Sequence, residues 1–312
     1  MNDRMKIVAG DSNPALAKEI ADYLDMDLAE VELIRFKDGE LSVKICENVR
    51  GVDLFIIQST SNPANDHLMQ LLLLIDAAMR ASARRITAII PYYGYARQDR
   101  KVEPRVPISA KVVANLLQAV GVNRVVTMEL HSDQIQGFFD IPVDNLFASP
   151  KVIEYLNEIN IDQPVVVSPD TGGVVRARFL ASRIQAGLAI IDKRRPKPNV
   201  SEVMNVIGEV KGKNCILVDD MIDTAGSITQ AAKALKANGA KDIYCVSTHA
   251  VLSGPAVERL QSADFREIII TNTIMVPEEN RLPNMKILST ANLFGEALRR
   301  IHEGESVSSL FL

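Results

Sequence analysis

In the stretch ILVDDMIDTAGSI, residues 216–228, an apolar run leads into Asp219, Asp220 and Asp223. Thr224, Ala225, Gly226 and Ser227 follow before a new apolar period begins. Like charges this close repel, and each carboxylate prefers water, so the cluster calls for a cation or a group rich in hydroxyls. Small residues leave room for a phosphate, which the backbone N–H groups of Thr224 to Ser227 would cradle at the start of a helix, with both hydroxyls as extra donors. Asp219 and Asp220 would then accept hydrogen bonds from neighbouring sugar hydroxyls or hold a phosphate-bound metal. The plain alternative is an acidic loop in which Asp223 or Thr224 caps the helix. An apolar strand, two acids and a Thr-small-Gly-Ser turn, coinciding in that order, favour the cradle.

Other segments could supply the opposite charge. YARQDRKVEPRVP carries Arg97, Arg100, Lys101 and Arg105 between a strand and a helix. It reads equally as a solvated loop or as a lid whose cations neutralise a polyphosphate. IIDKRRP sets Lys193, Arg194 and Arg195 just beyond a buried strand; a charge run is usually a solvated edge, but here it would suit a transferred phosphoryl group. His131 follows the strand RVVTMEL, and Asp170 ends VVVSPD at the equivalent place in the second half, so the pair could position Mg2+ across a cleft. A lone histidine is more often structural, and magnesium prefers oxygen, so a water-mediated contact suits His131 better than direct ligation. Gly172-Gly173 offer either a nest for pyrophosphate or a simple turn. FKDGE on its own is a hairpin turn.

Elements that could hold these groups are legible in the alternation of short β-rich runs with helical periods. MKIVAG, DLFIIQST, RITAIIPYY and RVVTMEL alternate with NPALAKEIADYL, DHLMQLLLLIDAAMRAS and PISAKVVANLLQAVG. The last places Pro107 in a first turn, Ile108, Val112, Val113, Leu116, Leu117 and Val120 on one face, and Gly121 at the end. Such alternation means βαβ units and a parallel sheet. QPVVVSPD, LAIIDK, CILVDD, DIYCVSTHA and REIIITNTI repeat the scheme, suggesting duplication. The expected domains are 1–147, with a lid at 92–107, and 148–312, with the phosphate loop at 219–228. A tail helix, NLFGEALRRIHEG, would pack back on the first domain. VELIRFKDGELSVKI alternates on both sides of Asp38-Gly39 and reads as an inserted β-hairpin.

A chain of 312 residues favours two domains over one. Its net charge of -4 argues against bulk binding to nucleic acid or an anionic membrane, so any anion site must be local. LMQLLLLIDAAM is broken by Asp76 well short of a membrane span, and MNDRMKIVAGDSN lacks the apolar core of a signal peptide, so a cytoplasmic location is expected. Cys46, Cys215 and Cys245 are widely spaced and read as reduced, buried thiols.

The acidic loop resembles the one shared by type I phosphoribosyltransferases and ribose-phosphate pyrophosphokinases. RFKDGE, PYYGYARQDRK, ELHSDQIQGFFDIPVDNL, VVVSPDTGGVVRARF and DKRRP extend the resemblance to the second family over nearly the whole chain. It implies an α/β fold of two similar phosphoribosyltransferase-like domains, each a mostly parallel sheet flanked by helices. It also implies transfer of the pyrophosphoryl group of Mg-ATP to the anomeric hydroxyl of ribose 5-phosphate, giving phosphoribosyl pyrophosphate and AMP. Lys193 and Arg195 would be the catalytic pair, with Arg194 in support. Phe36, Asp38, Gly39 and Glu40 of a neighbouring subunit, with Arg97, Gln98, Asp99 and Arg100, would bind ATP. Asp219, Asp220, Asp223, Thr224, Ala225, Gly226 and Ser227 would bind ribose 5-phosphate. Asp170, Gly172 and Gly173 would bind pyrophosphate, with His131 and Asp170 at Mg2+. The resemblance further implies a homo-oligomer, a hexamer, with phosphate and ADP as effectors near Asn48, Arg50 and SVSSLF. A phosphoribosyltransferase, a non-catalytic associated subunit and an unrelated nucleotide-binding module remain the alternatives. FKDGE and RQDRK stand where the first would need a nucleobase hood, the second would interrupt motifs intact here, and the third lacks GxxxxGK[ST] and GxGxxG.

Overall fold

The computed structural model describes residues 5–194 and 203–311. The chain divides into two units: Met1–Phe147 with Thr273–Met275 and Ser289–Leu312, and Ala148–Asn272 with Val276–Leu288.

In the first unit, β1 (Met5–Ala9), α1 (Pro14–Tyr23), β2 (Val31–Arg35), β3 (Leu41–Ile45), β4 (Asp53–Ile57) and α2 (Ala64–Arg80) come in sequence. They are followed by β5 (Arg85–Ile90), α3 (Ser109–Ala119), β6 (Arg124–Met128) and β7 (Val143–Leu146). A parallel sheet runs β1-β4-β5-β6-β7. β4 is buried at every position, which explains why DLFII does not alternate: both its faces are covered. β2 and β3 pair antiparallel from Val31↔Ile45 to Arg35↔Leu41, forming the expected hairpin as a separate sheet. α3 differs from its reading. It begins at Ser109, beyond Pro107, and turns Ala110, Val113, Ala114 and Leu117 inward, leaving Val112 and Leu116 exposed. The wide apolar stripe thus exceeds what the sheet can cover.

In the second unit, α4 (Ser149–Ile159), β8 (Pro164–Ser168), α5 (Val174–Arg183), β9 (Gly187–Arg194) and β10 (Val203–Ile207) lead to β11 (Asn214–Ile222). Then come α6 (Gly226–Ala237), β12 (Ile243–Ala250), α7 (Ala256–Gln261), β13 (Glu267–Thr271) and β14 (Met285–Leu288). The sheet order is β10-β9-β8-β11-β12-β13-β14, parallel except for the antiparallel edge strand β10. From β8 the chain crosses to β9 on one side; from β11 it crosses to β12 on the other. The β8/β11 boundary is therefore the topological switch point, where ligands bind beyond the carboxyl ends of strands.

The helix α8 (Ala291–Glu303) closes the chain and belongs to the first unit. Tyr23 of α1 lies so close to Gly295 that a Cβ there would meet its ring at 2.3 Å. At the start of β4, buried Asp53 accepts hydrogen bonds from Arg85 Nε at 2.8 Å and pairs with His302 Nδ1 at 2.8 Å. Cys215 and Cys245 are buried as expected, whereas Cys46, on the hairpin's margin, is only half-buried. Among the described residues no helix is long and apolar enough to cross a membrane.

Candidate active site

β11 outruns its neighbour. Pairing with β8 stops at Leu217↔Val167, while pairing with β12 continues to Ile222↔Ala250. Asp219 and Asp220 accordingly lie within the strand rather than after it, a correction to the loop boundaries. Beyond the end of β8 their edge of β11 has no pairing strand, which places two carboxylates beside the switch point.

Past Ile222 the backbone turns. The carbonyls of Ile222, Asp223 and Thr224 accept hydrogen bonds from Leu252 N (2.9 Å), Ser253 N (3.0 Å) and Arg259 Nη1 (2.9 Å). In a planar trans peptide the following N–H points the opposite way. The amides of Asp223, Thr224 and Ala225 therefore face away from segment 252–259. Ala225 adopts the left-handed region at φ 58°, which costs roughly 1–2 kcal/mol for a residue with a Cβ. Its carbonyl accepts from both Thr229 N (3.1 Å) and Thr229 Oγ1 (2.8 Å). The N-cap residue of α6, Ala225, has no side chain that could cap it, and no acid lies in the helix's first turn. The positive end of the α6 dipole thus meets no capping side chain at Ala225 and no acid in its own first turn.

Burial, reinforced by the adjacent Asp220 carboxyl, pushes Asp219 up to about 7 against the opposing pull of Arg176. Arg176 Nη1 stands 3.7 Å from Asp219 Oδ1 and 3.8 Å from Asp220 Oδ1. Arg176 stands within VVRARF, where the sequence pattern assigns it no role. Its signal was position: it lies in the first turn of α5, three residues past Gly173.

The Gly172-Gly173 nest is not open. Both amides donate to Asp170 Oδ1, at 2.9 and 3.1 Å, so the carboxylate takes the place assigned to pyrophosphate. A Cβ on Gly173 would sit 2.9 Å from Ser168 Oγ, which accounts for that glycine. Among the described residues no three His, Cys, Asp or Glu side chains gather to hold a metal. Magnesium fits such a sparse donor set, because it is commonly held by one or two carboxylates, waters and substrate phosphates rather than by a protein cage.

Lys193 lies within β9, its backbone paired with Met204 of β10, so the strand runs past the point expected from IIDKRRP. The antiparallel partner β10 is what prolongs it. Arg195 lies outside the described residues.

In the first unit the hairpin tip is held by Phe36 N to Glu40 O (2.8 Å), Gly39 N to Phe36 O (3.0 Å) and Glu40 N to Asp38 Oδ1 (3.1 Å). Gly39 adopts φ 95°, a conformation that favours glycine. Phe36 is 51% exposed, unusually high for a large aromatic residue. In the expected lid, Tyr92, Tyr93 and Ala96 are buried and anchored, with Tyr93 Oη donating to Ala110 O at 3.0 Å. Exposed residues start at Arg97 and include Gln98, Arg100, Lys101 and Arg105. Asp99 is half-buried and accepts from Gln134 Nε2 at 3.1 Å, while Gln98 Oε1 accepts from Ser109 Oγ. Tyr95 of the lid base bonds Asn65, and Arg35 of the hairpin bonds Asp66 at 2.6 Å, so both segments are tethered to the first turn of α2. His131 is exposed just past β6. The backbone leading to it is fixed by buried Glu129 at φ 39° and by Leu130 N donating to Asn145 Oδ1 at 3.0 Å. No sequence signal singled out Glu129 or Asn145.

A parallel sheet with a phosphate-type loop at its switch point, preceded by a unit with the same order of elements, defines a two-domain type I phosphoribosyltransferase-like protein. Residues 5–121 match the profile of the N-terminal domain of ribose phosphate pyrophosphokinase, and residues 194–312 that of a phosphoribosyl synthetase-associated domain. The chain is 58% identical to the ribose-phosphate pyrophosphokinase of Caldanaerobacter subterraneus, over 98% of each sequence. It is 55% identical to that of Bacillus subtilis, over 98% of this chain and 97% of the other. The phosphoribosylpyrophosphate synthetase structure from Mycobacterium smegmatis superposes with a TM-score of 0.92 at 44% identity, covering 96% of this chain and 99% of that one. The chain belongs to the ribose-phosphate pyrophosphokinase family, enzymes that transfer a diphosphate group.

Proposed function

We propose that this enzyme joins Mg-ATP to ribose 5-phosphate, giving 5-phosphoribosyl 1-pyrophosphate and AMP, and that it does so in the cytoplasm for nucleotide and amino-acid biosynthesis. The observation that carries this reading is the start of α6, where three successive carbonyls turn toward segment 252–259 and leave the amides of Asp223, Thr224 and Ala225 facing the other way, with the Asp219–Asp220 pair alongside. A pentose phosphate has the matching groups: a dianion for the amides of Asp223 to Ser227 and vicinal hydroxyls for the two carboxylates.

In the reaction the anomeric oxygen of the sugar bonds to the β-phosphorus of ATP. The bond from that phosphorus to the bridging oxygen breaks, AMP leaves with the bridging oxygen, and the hydroxyl proton is lost. Such a transfer asks for alignment and charge stabilisation rather than covalent help. The cradle and the acid pair fix the pentose. Lys193 and Arg195 stabilise charge on the transferred group, and Arg97, Gln98, Asp99 and Arg100 gather the nucleotide. Asp170 and, through water, His131 would hold Mg2+, which when bound neutralises polyphosphate charge. Asp170 also closes the Gly172-Gly173 turn, so pyrophosphate reaches those amides only if the carboxylate swings away.

The solvent-facing Phe36 ring supports a further element: the hairpin tip, Phe36 to Glu40, completes the adenine site of a neighbouring copy, in a homo-oligomer that responds to phosphate and ADP. Incubating the protein with ATP, Mg2+ and ribose 5-phosphate tests the central reading. AMP and phosphoribosyl pyrophosphate are expected in equal amounts. ADP as the nucleotide product, or no turnover, would overturn it.

A further inference from the structure

We propose that Arg259 is a positioning residue for ribose 5-phosphate, holding the Thr224–Ala225 peptide so that the Ala225 N–H points into the phosphate cradle. The inference rests on the reading of residues 223–227 as that cradle.

Three successive carbonyls of this loop are held from segment 252–259, and the last is held by a side chain rather than by the backbone. Leu252 N and Ser253 N secure Ile222 and Asp223, whereas Thr224 depends on Arg259 Nη1, 2.9 Å away, reaching from α7. Thr224 immediately precedes Ala225, the left-handed residue, so the guanidinium acts on the peptide with the most reason to flip. Gly226 lies close to the same guanidinium: a Cβ there would sit 3.3 Å from Arg259 Nη1. Without this donor the Thr224 carbonyl can rotate, relieving Ala225 and turning its amide out of the cradle. Arg259 itself is exposed and makes its contact from outside the loop, so its influence is on aim rather than on folding.

In assays of the full chain, Arg259→Gln should raise KM for ribose 5-phosphate about fivefold, as expected for losing one charge-assisted hydrogen bond. KM for ATP and kcat at saturation should stay within about twofold. Arg259→Lys keeps the charge but lacks the reach and fork of a guanidinium, so it should show a similar rise at low and high salt. An unchanged KM, equal rises for both substrates, or full rescue by lysine with a defect that salt abolishes would overturn the inference. If the parent protein forms no AMP, the cradle reading fails and this inference with it. A normal parent beside an unaffected Arg259→Gln protein removes Arg259 alone.

Discussion

The two units follow one order of elements, strand, helix, two antiparallel strands, strand, helix, strand, helix, strand, strand, yet they treat the ends of their strands in opposite ways. In the second unit α6 starts without a side-chain cap or a first-turn acid, and α5 is preceded by a glycine turn. In the first unit the equivalent helix α2 carries Asp66 in its first turn, paired with Arg35, and α1 is capped by Asn13 Oδ1 on Leu16 N at 3.2 Å. Gln58 and Gln70 then fill the space between the two loops. Their side-chain oxygens accept from Ser12 N and Asp11 N, both at 3.1 Å, and Gln58 Nε2 donates to Gln70 Oε1 at 2.5 Å. Gly10 packs against both amides; a Cβ there would lie 2.3 Å from Gln58 Oε1. The first unit thus fills both loops with its own side chains, whereas in the second Asp170 closes the Gly172-Gly173 turn but Ala225, at the start of α6, has no side chain to do the same. The hairpins differ likewise: β9 joins the main sheet beside β8, whereas β2–β3 stands apart with its tip in solvent.

The contrast is broken most easily at Lys193. If Lys193 stabilises charge on the transferred group, Lys193→Ala should lower kcat by about a hundredfold or more while leaving the folded structure intact. Near-normal steady-state turnover in a folded variant would take Lys193 out of the chemistry. The next tests set the equivalent loops against each other. Asp223→Asn and Ser227→Ala should raise KM for ribose 5-phosphate by about tenfold and leave KM for ATP nearly unchanged. In the filled loop, Gln58→Ala strands the Ser12 amide in a buried site and should cost about 1–3 kcal/mol in urea unfolding, with little change in either KM. If Gln58→Ala shifted KM for ribose 5-phosphate while Asp223→Asn did not, the assignment of the two loops would have to be exchanged.

Periodicity made the strands and helices legible, because parallel strands buried on both faces read as unbroken apolar runs and Asp38-Gly39 marks a hairpin directly. DDMIDTAGS was legible because its meaning lies in local order. What stayed hidden depends on contacts between distant segments. Arg176 lies 43 residues from Asp219 in the sequence and Arg259 35 from Thr224, and nothing in VVRARF or AVERLQ advertises a carbonyl or a carboxylate partner. The extension of β11 through Asp220 depends on β12 outlasting β8, a register that no single strand's sequence contains. At Gly172-Gly173 the sequence leaves nest and simple turn as equal readings, because an Asx-type contact and a ligand nest have the same sequence signature.

The smallest effect tests the acid pair without any substrate. Asp219 binds its proton more tightly in the folded chain, up to about 7, than in the unfolded chain, where an ordinary aspartate titrates near 3.8. Between those values the folded state holds the extra proton, so stability falls as pH rises through the window and levels off above it. Asp219→Asn removes the ionisation while Arg176 keeps Asp220 as its partner. The variant should therefore match the parent near pH 4 and exceed its stability by about 1–3 kcal/mol at pH 8, read from urea midpoints at the two pH values. The acid would then weaken the fold at working pH, a cost that fits a carboxylate kept for a ligand and has no counterpart among the satisfied amides of Gln58 and Gln70. An equal loss of stability at both pH values would mean that Asp219 is a structural acid, and the two units would differ less than their loops suggest.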